Sequence, residues 1–163
     1  MDKSTLHNCG EKNYQHIFIF HRERDGDRIG HTETMTIQEL IEKAAELQIS
    51  LSETQVKQLE QYAQLLAEWN EKMNLTAITE HGEILEKHFY DSILPLGKGK
   101  IFGKIADVGT GAGFPGLVWK IVKPELDVSL IEPTGKRCTF LEEVIHQLHL
   151  ENIHVYNTRA EEQ

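Results

Sequence analysis

The chain has 163 residues, 39% of them hydrophobic and 26% charged, an ordinary globular composition with room for one domain and a small appendage. No apolar run approaches the roughly 20 residues a membrane helix needs, and Ile17-Phe18-Ile19-Phe20, flanked by histidines, is too short for a secretory signal. A formal net charge of −9 excludes a protein held to nucleic acid by overall charge alone.

Residues 1–34 show no periodic apolar face. They carry four histidines, a charged run from Arg22 to Arg28 and one apolar cluster, Ile17 to Phe20. They are expected to form a disordered leader, made when translation starts upstream of Met35. Cys9, in this leader, and Cys138 lie far apart without C-x-x-C spacing, so both read as free thiols and the cytoplasm is the expected compartment.

A well-formed element begins at Met35. Thr36-Ile37-Gln38-Glu39 has the form of a capping box, and Leu40, Ile41, Ala44 and Leu47 make a helical stripe. Ser52-Glu53-Thr54-Gln55 is a second capping box. Val56, Leu59, Tyr62, Leu66, Trp69 and Met73 follow it at steps of three or four, one apolar face of a long helix. A turn through Asn74-Leu75-Thr76 leads to a third helix, from about Glu80 to Leu94, with Leu85, Phe89 and Ile93 on its buried side. Residues 35–97 are therefore expected to be a small helical cap.

From Lys98 onward the pattern becomes strand, helix, strand, helix, strand. Ile105, Ala106 and Val108 read as a buried strand, Leu117 to Val122 as a helix with Pro115 in its first turn, and Val128 to Ile131 as a second strand. A helix from Gly135 to Leu148 buries Phe140, Leu141, Val144 and Leu148, and Ile153 to Tyr156 make a third strand. The alternation predicts an α/β fold in which residues 98–163 form a βαβαβ unit, half of a doubly wound parallel sheet.

Between the first of these strands and its helix lies Asp107-Val108-Gly109-Thr110-Gly111-Ala112-Gly113-Phe114-Pro115-Gly116. Gly109, Gly111 and Gly113 let the backbone take φ > 0 and let a ligand come close. The N–H groups of the new helix are expected to face that ligand. Asp107, two residues before the first glycine, would repel a pyrophosphate. It suits a ligand whose nearest group is cationic, such as the amino group and sulfonium of S-adenosyl-L-methionine. Glu132, at the end of the second strand, is placed to accept from both ribose hydroxyls. The competing reading is a glycine-rich turn with no ligand.

Other chemistry has little support. There is no G-x-S-x-G, and neither cysteine sits beside a His–acid pair. His146 and His149, with Glu142 and Glu143, are better read as an exposed helix face than as metal ligands, so no metal is expected. His88 and Asp91, at i, i+3 on the third helix, read on spacing alone as a surface pair away from the buried side. Charge is uneven. Thr36 to Ser92 holds eleven acids against four lysines, whereas Lys98 to Arg137 holds seven basic residues against four acids. The second segment permits a phosphate-contacting face without proving one.

Asn74-Leu75-Thr76-Ala77-Ile78, His88-Phe89-Tyr90-Asp91-Ser92, Asp107 to Gly116, Gly135-Lys136-Arg137 with Phe140-Leu141, and Arg159-Ala160-Glu161-Glu162 follow one another in one order. Together they resemble the bacterial 16S ribosomal RNA guanine-N7 methyltransferases, also called glucose-inhibited division protein B, from about Met35 to the last residue. The resemblance implies a class I, Rossmann-like methyltransferase with strand order 3-2-1-4-5-7-6, a helical cap, S-adenosyl-L-methionine as methyl donor and 16S rRNA or the small ribosomal subunit as acceptor. It implies that Gly109 and Phe114 line the cofactor, that Glu132, Pro133 and Thr134 hold its ribose and adenine side, and that Ala160 and Glu161 lie against the adenine. Pro133 departs from the commoner Ser. Asn74, His88 and Asp91 would form the cap side of the substrate cleft, with Asp91 nearest the chemistry, and Lys136 and Arg137 would be RNA contacts.

Only the first βαβαβ half of the implied sheet is present. In the family order the strand at Ile105 is then left as an open edge, so the chain is expected to be an impaired, association-prone fragment. The alternatives are a non-catalytic fragment that binds S-adenosyl-L-methionine or RNA, and a methyltransferase for another substrate.

Overall fold

The computed structural model describes residues 14–19, 35–75 and 80–158. Four strands, β1 (His16–Ile19), β2 (Lys104–Val108), β3 (Asp127–Ile131) and β4 (Ile153–Tyr156), form one parallel sheet in the order β1-β2-β3-β4. Helices α5 (Gly116–Val122) and α6 (Gly135–Leu148) link β2 to β3 and β3 to β4. The register pairs Val108 with Ile131 and Ile131 with Tyr156, so the three strands end level, at the edge where such sheets bind ligands.

The cap begins with α1 (Ile37–Glu46) and α2 (Glu53–Met73). Both start with a complete capping box, Thr36 with Glu39 and Ser52 with Gln55, each satisfying main-chain N–H groups that the first turn leaves orphaned. Asn74 ends α2 in the left-handed conformation, φ 51°. The third predicted helix is not uniform. α3 (His81–Glu83) passes into a π-helical segment, Ile84–Tyr90, then α4 (Asp91–Ile93) and a 3-10 turn, Leu94–Lys98. Leu85, Phe89 and Ile93 are buried there, as their spacing predicts. The wider π turn means that the i, i+3 spacing of His88 and Asp91 loses its α-helical meaning.

Alternation along the strands gives the sheet two apolar faces. Phe18, Ile105, Val128, Leu130 and Ile153 join the main core with α2, α5, α6 and the cap. Ile17, Ala106, Val108 and Ile131 form a second cluster with half-buried Tyr14 and Tyr156. The main core runs without a break from Met35 through Leu59, Tyr62 and Leu66 to Trp119 and Phe140, so cap and sheet share it.

Two expectations fail at β1. Residues 14–19 are not a disordered leader; the rest of 1–34 lies outside the described residues. And β2 is not an open edge, because β1 pairs with it in parallel along its length, from His16 opposite Ile105 to Ile19 opposite Val108. A four-residue strand has almost no local signal. Its stability comes from the strand it joins and from burying Ile17 and Phe18, about 1.5–3 kcal/mol for each such side chain.

Candidate functional site

The turn after β2 is built from the bottom up by Asp107. Its carboxylate is fully buried, and Oδ2 accepts from the Thr110 hydroxyl (2.6 Å) and from the Gly116 N–H (2.8 Å). One oxygen thus ties the start of the turn to the first residue of α5. Burial above all pushes this carboxyl up to about 7; the bonds from Thr110 and Gly116 work against that and the charge of Glu132 adds to it. Oδ1 has no hydrogen-bond partner among the described residues, which leaves the charged form poorly solvated.

The Asp107 carboxylate lies buried beneath the turn and shapes it through Thr110 and Gly116. It also takes the Gly116 N–H, and all seven residues of α5 are buried, so the helix start is not an open ligand face.

Gly109, Gly111 and Gly113 all have positive φ, 73°, 62° and 107°. They differ in surroundings. Gly109 is exposed, and a Cβ there would point into open space. At Gly113 a Cβ would come within 2.4 Å of the Tyr62 hydroxyl and 2.5 Å of Leu117 Cδ1, so packing forbids a side chain. Gly109 N–H donates to Ile131 O (2.8 Å) and Gly111 N–H to Glu132 Oε1 (2.9 Å), which folds the turn over the end of β3.

Glu132 is 2% exposed and is the polar hub of the site. Oε2 accepts from Thr134 N–H (3.0 Å) and lies 3.8 Å from the Arg137 guanidinium. Its main chain bridges to β4, with Glu132 N–H donating to Tyr156 O (2.9 Å) and Thr158 N–H to Glu132 O (3.1 Å). The Cys138 thiol donates to Glu132 O (3.3 Å), and burial pushes that thiol up. Arg137 is therefore committed in part to Glu132, whereas Lys136, Pro133 and Thr134 are exposed beside it.

The cap reaches the turn through Tyr62 of α2. Its phenol is fully buried and donates to Ala112 O (2.6 Å). Burial and then the Asp107 charge hold its pKa well above the ordinary tyrosine value, so it stays a donor. Its ring stacks on Phe114 (5.5 Å) and Phe89 (5.2 Å), and Phe114 in turn stacks on His88 at 4.2 Å with the rings 9° from parallel. His88 is thus half-buried against the glycine turn, not on a separate wet surface as the spacing predicts.

The structure brings Asp107, Gly111, Gly113, Phe114, Glu132, Thr134, Arg137 and His88 into one bonded assembly. Asn74 stands exposed at the end of α2, and Asp91 is half-buried at the start of α4. Ala160 and Glu161 lie outside the described residues. The apolar stripe of α2 marks Tyr62 only as a core residue. The signal that sets it apart is a tyrosine inside such a stripe, whose hydroxyl needs a partner when buried. Among the described residues no group of three or more His, Cys, Asp or Glu is placed to hold a metal ion, and no helix is long and apolar enough to cross a membrane.

A family model described as rRNA small subunit methyltransferase G matches residues 55–163. The chain is 48% identical over 131 residues to the "Ribosomal RNA small subunit methyltransferase G" of Streptococcus sanguinis (strain SK36), covering 78% of this chain and 55% of that protein. It is 49% identical over 131 residues to the protein of the same name from Lactococcus lactis subsp. lactis (strain IL1403), with 78% and 55% covered. For Streptococcus suis (strain 05ZYH33) the identity is 50% over 117 residues, with 70% and 49% covered. The chain spans about half the length of the curated relatives it matches.

Proposed function

The chain belongs to the rRNA small subunit methyltransferase G family, and we propose that its glycine turn and the acidic end of β3 hold S-adenosyl-L-methionine for transfer of a methyl group to N7 of a guanine in 16S rRNA. The observation that carries this reading is the pairing of Gly109 with Glu132. Gly109 is an exposed main-chain cradle whose missing Cβ leaves open space, and Glu132 follows β3 at the level where β2, β3 and β4 end, its carboxylate held in place by Gly111 N–H and Thr134 N–H with a further lone pair on each oxygen. Those residues suit a ribose diol beside a close main-chain approach. Phe114 belongs to the glycine turn, Pro133 and Thr134 follow Glu132, and Ala160 and Glu161 follow β4 in sequence.

The donor, when bound, supplies a methyl carbon activated by a positive sulfur. Guanine N7 has an in-plane lone pair and no proton, so transfer needs no general base and the protein contributes placement. The purine gains positive charge as the bond forms, and a nearby carboxylate favours that state. Asp91 is our choice for this carboxylate. His88, stacked on Phe114, couples the cap to the turn, and Asn74 lies on the cap side. Lys136, exposed beside Glu132, and Arg137 are our choices for phosphate contacts. The free thiol of Cys138 suits the reducing cytoplasm.

A second reading is binding of the cofactor or RNA without turnover. Calorimetric titration with S-adenosyl-L-methionine, beside a methylation assay on small-subunit rRNA, separates the two. Binding with N7 methylation supports the enzyme, and binding without it supports the second reading. Gly111→Val, which forces a branched side chain onto φ 62°, should abolish binding while the melt remains cooperative. Unchanged binding by that variant would remove the turn from the site.

A further inference from the structure

β2 is buried on both faces, with Ile105 and Asp107 toward the helices and Ala106 and Val108 toward the other side. That is the pattern of an interior strand, which needs a neighbour along each edge. β3 supplies one. The other comes from residues 16–19, upstream of the segment 55–163 that the family model covers. β1 does more than complete a ladder. Gln15 N–H donates to Lys104 O (2.6 Å), and the Gln15 side-chain oxygen accepts from Lys104 N–H. Phe18, 3% exposed, meets the Trp119 ring edge-on at 4.6 Å, and the His16 ring meets Phe102 edge-on at 5.1 Å. Trp119 belongs to α5, the helix leaving the glycine turn, and Ile19 pairs with Val108, the residue before it. β1 therefore grips both the strand that enters the turn and the helix that leaves it.

We propose that residues 14–19 serve as an intramolecular edge strand, which fills the β2 edge and so keeps the turn formed and the edge closed. An uncovered strand with two apolar faces would offer its N–H and C=O row to any extended segment. A four-residue strand is also the short form in which natural sheets end. This function is independent of which ligand the turn takes.

Hydrogen exchange on the whole chain tests it first without a variant. The β2 amides that point toward β1 should be protected as well as those bonded to β3, at any protein concentration. In Phe18→Asp their exchange should rise by about tenfold or more while α6 and β4 keep theirs, as for local opening, and the variant should elute as oligomers. A synthetic peptide of residues 14–19, added in excess, should restore both protection and monomer. Phe18→Leu should behave nearly as the unaltered chain. Three results would overturn the proposal. One is rapid exchange of those amides in the unaltered chain. Another is protection that appears only as concentration rises, which would mean that the strand is exchanged between copies. The third is a uniform loss in Phe18→Asp that the peptide does not recover.

Discussion

The carboxyl of Asp107 stands at about 7 against an ordinary 3.8, chiefly because it is buried, so at neutral pH it is near the middle of its titration. The folded state holds this proton more tightly than the unfolded chain. Its contribution to stability is therefore complete below about pH 4 and is lost as pH rises to about 7. Asp107→Asn keeps an acceptor for Thr110 and Gly116 without the charge. The difference in melting temperature between variant and unaltered chain should move in favour of the variant from pH 4 to pH 7 and level off above. A flat difference across that range would show that this carboxyl does not titrate there. Tyr62→Phe keeps the ring stack and removes one hydroxyl, which orphans the buried Ala112 carbonyl. We expect a loss of about 1–3 kcal/mol in denaturant melts. S-adenosyl-L-methionine should also bind more weakly, since Tyr62 fixes the turn from the cap side. Unchanged affinity in a destabilised variant would make Tyr62 a packing residue only.

Two helix starts carry glycine for different reasons. At Gly116, the first residue of α5, a Cβ would lie 2.5 Å from Leu130 Cδ2 and 2.8 Å from Asp107 Oδ2. Helix, strand and carboxylate meet too closely there for a methyl group. Gly116→Ala should cost about 1–3 kcal/mol by overpacking. At Gly135, the first residue of α6, the nearest atom would be 3.7 Å away, an ordinary contact. Gly135→Ala should leave stability unchanged or raise it by up to about 1 kcal/mol. Thermal melts of the two variants check the contrast, and equal losses would remove the packing argument. The capping boxes of α1 and α2 were legible because they are local, four residues that satisfy one another. The π-helical segment was not, because Leu85, Phe89 and Ile93 give the same spacing of buried residues whether the turn between them is α or π. Its consequence, His88 against Phe114, was hidden with it.

At the scale of the whole molecule, the cap and the sheet share one core, and α2 lies against both α5 and α6. They should therefore unfold together. Leu59→Ala, deep in α2, should lower stability by about 2–5 kcal/mol. Exchange protection of β3 should fall in the same step as that of α2, and two separate transitions would show a cap that folds by itself. The helix stripes, the three strands after residue 98, the glycine turn and the acid at the end of β3 are legible in the amino-acid order, because each rests on spacing within a dozen residues. So is the family, since its motifs follow one another in a fixed order. What those residues face was settled by packing between distant segments. Asp107 turns under the loop because Thr110 and Gly116 offer it donors there. Glu132 is drawn in by Gly111 and Thr134, and Tyr62 reaches a turn 50 residues away. Such packing also decided that residues 14–19 fold at all. A strand of four residues has no stability apart from its neighbour, and that neighbour begins 85 residues further along the chain, at Lys104.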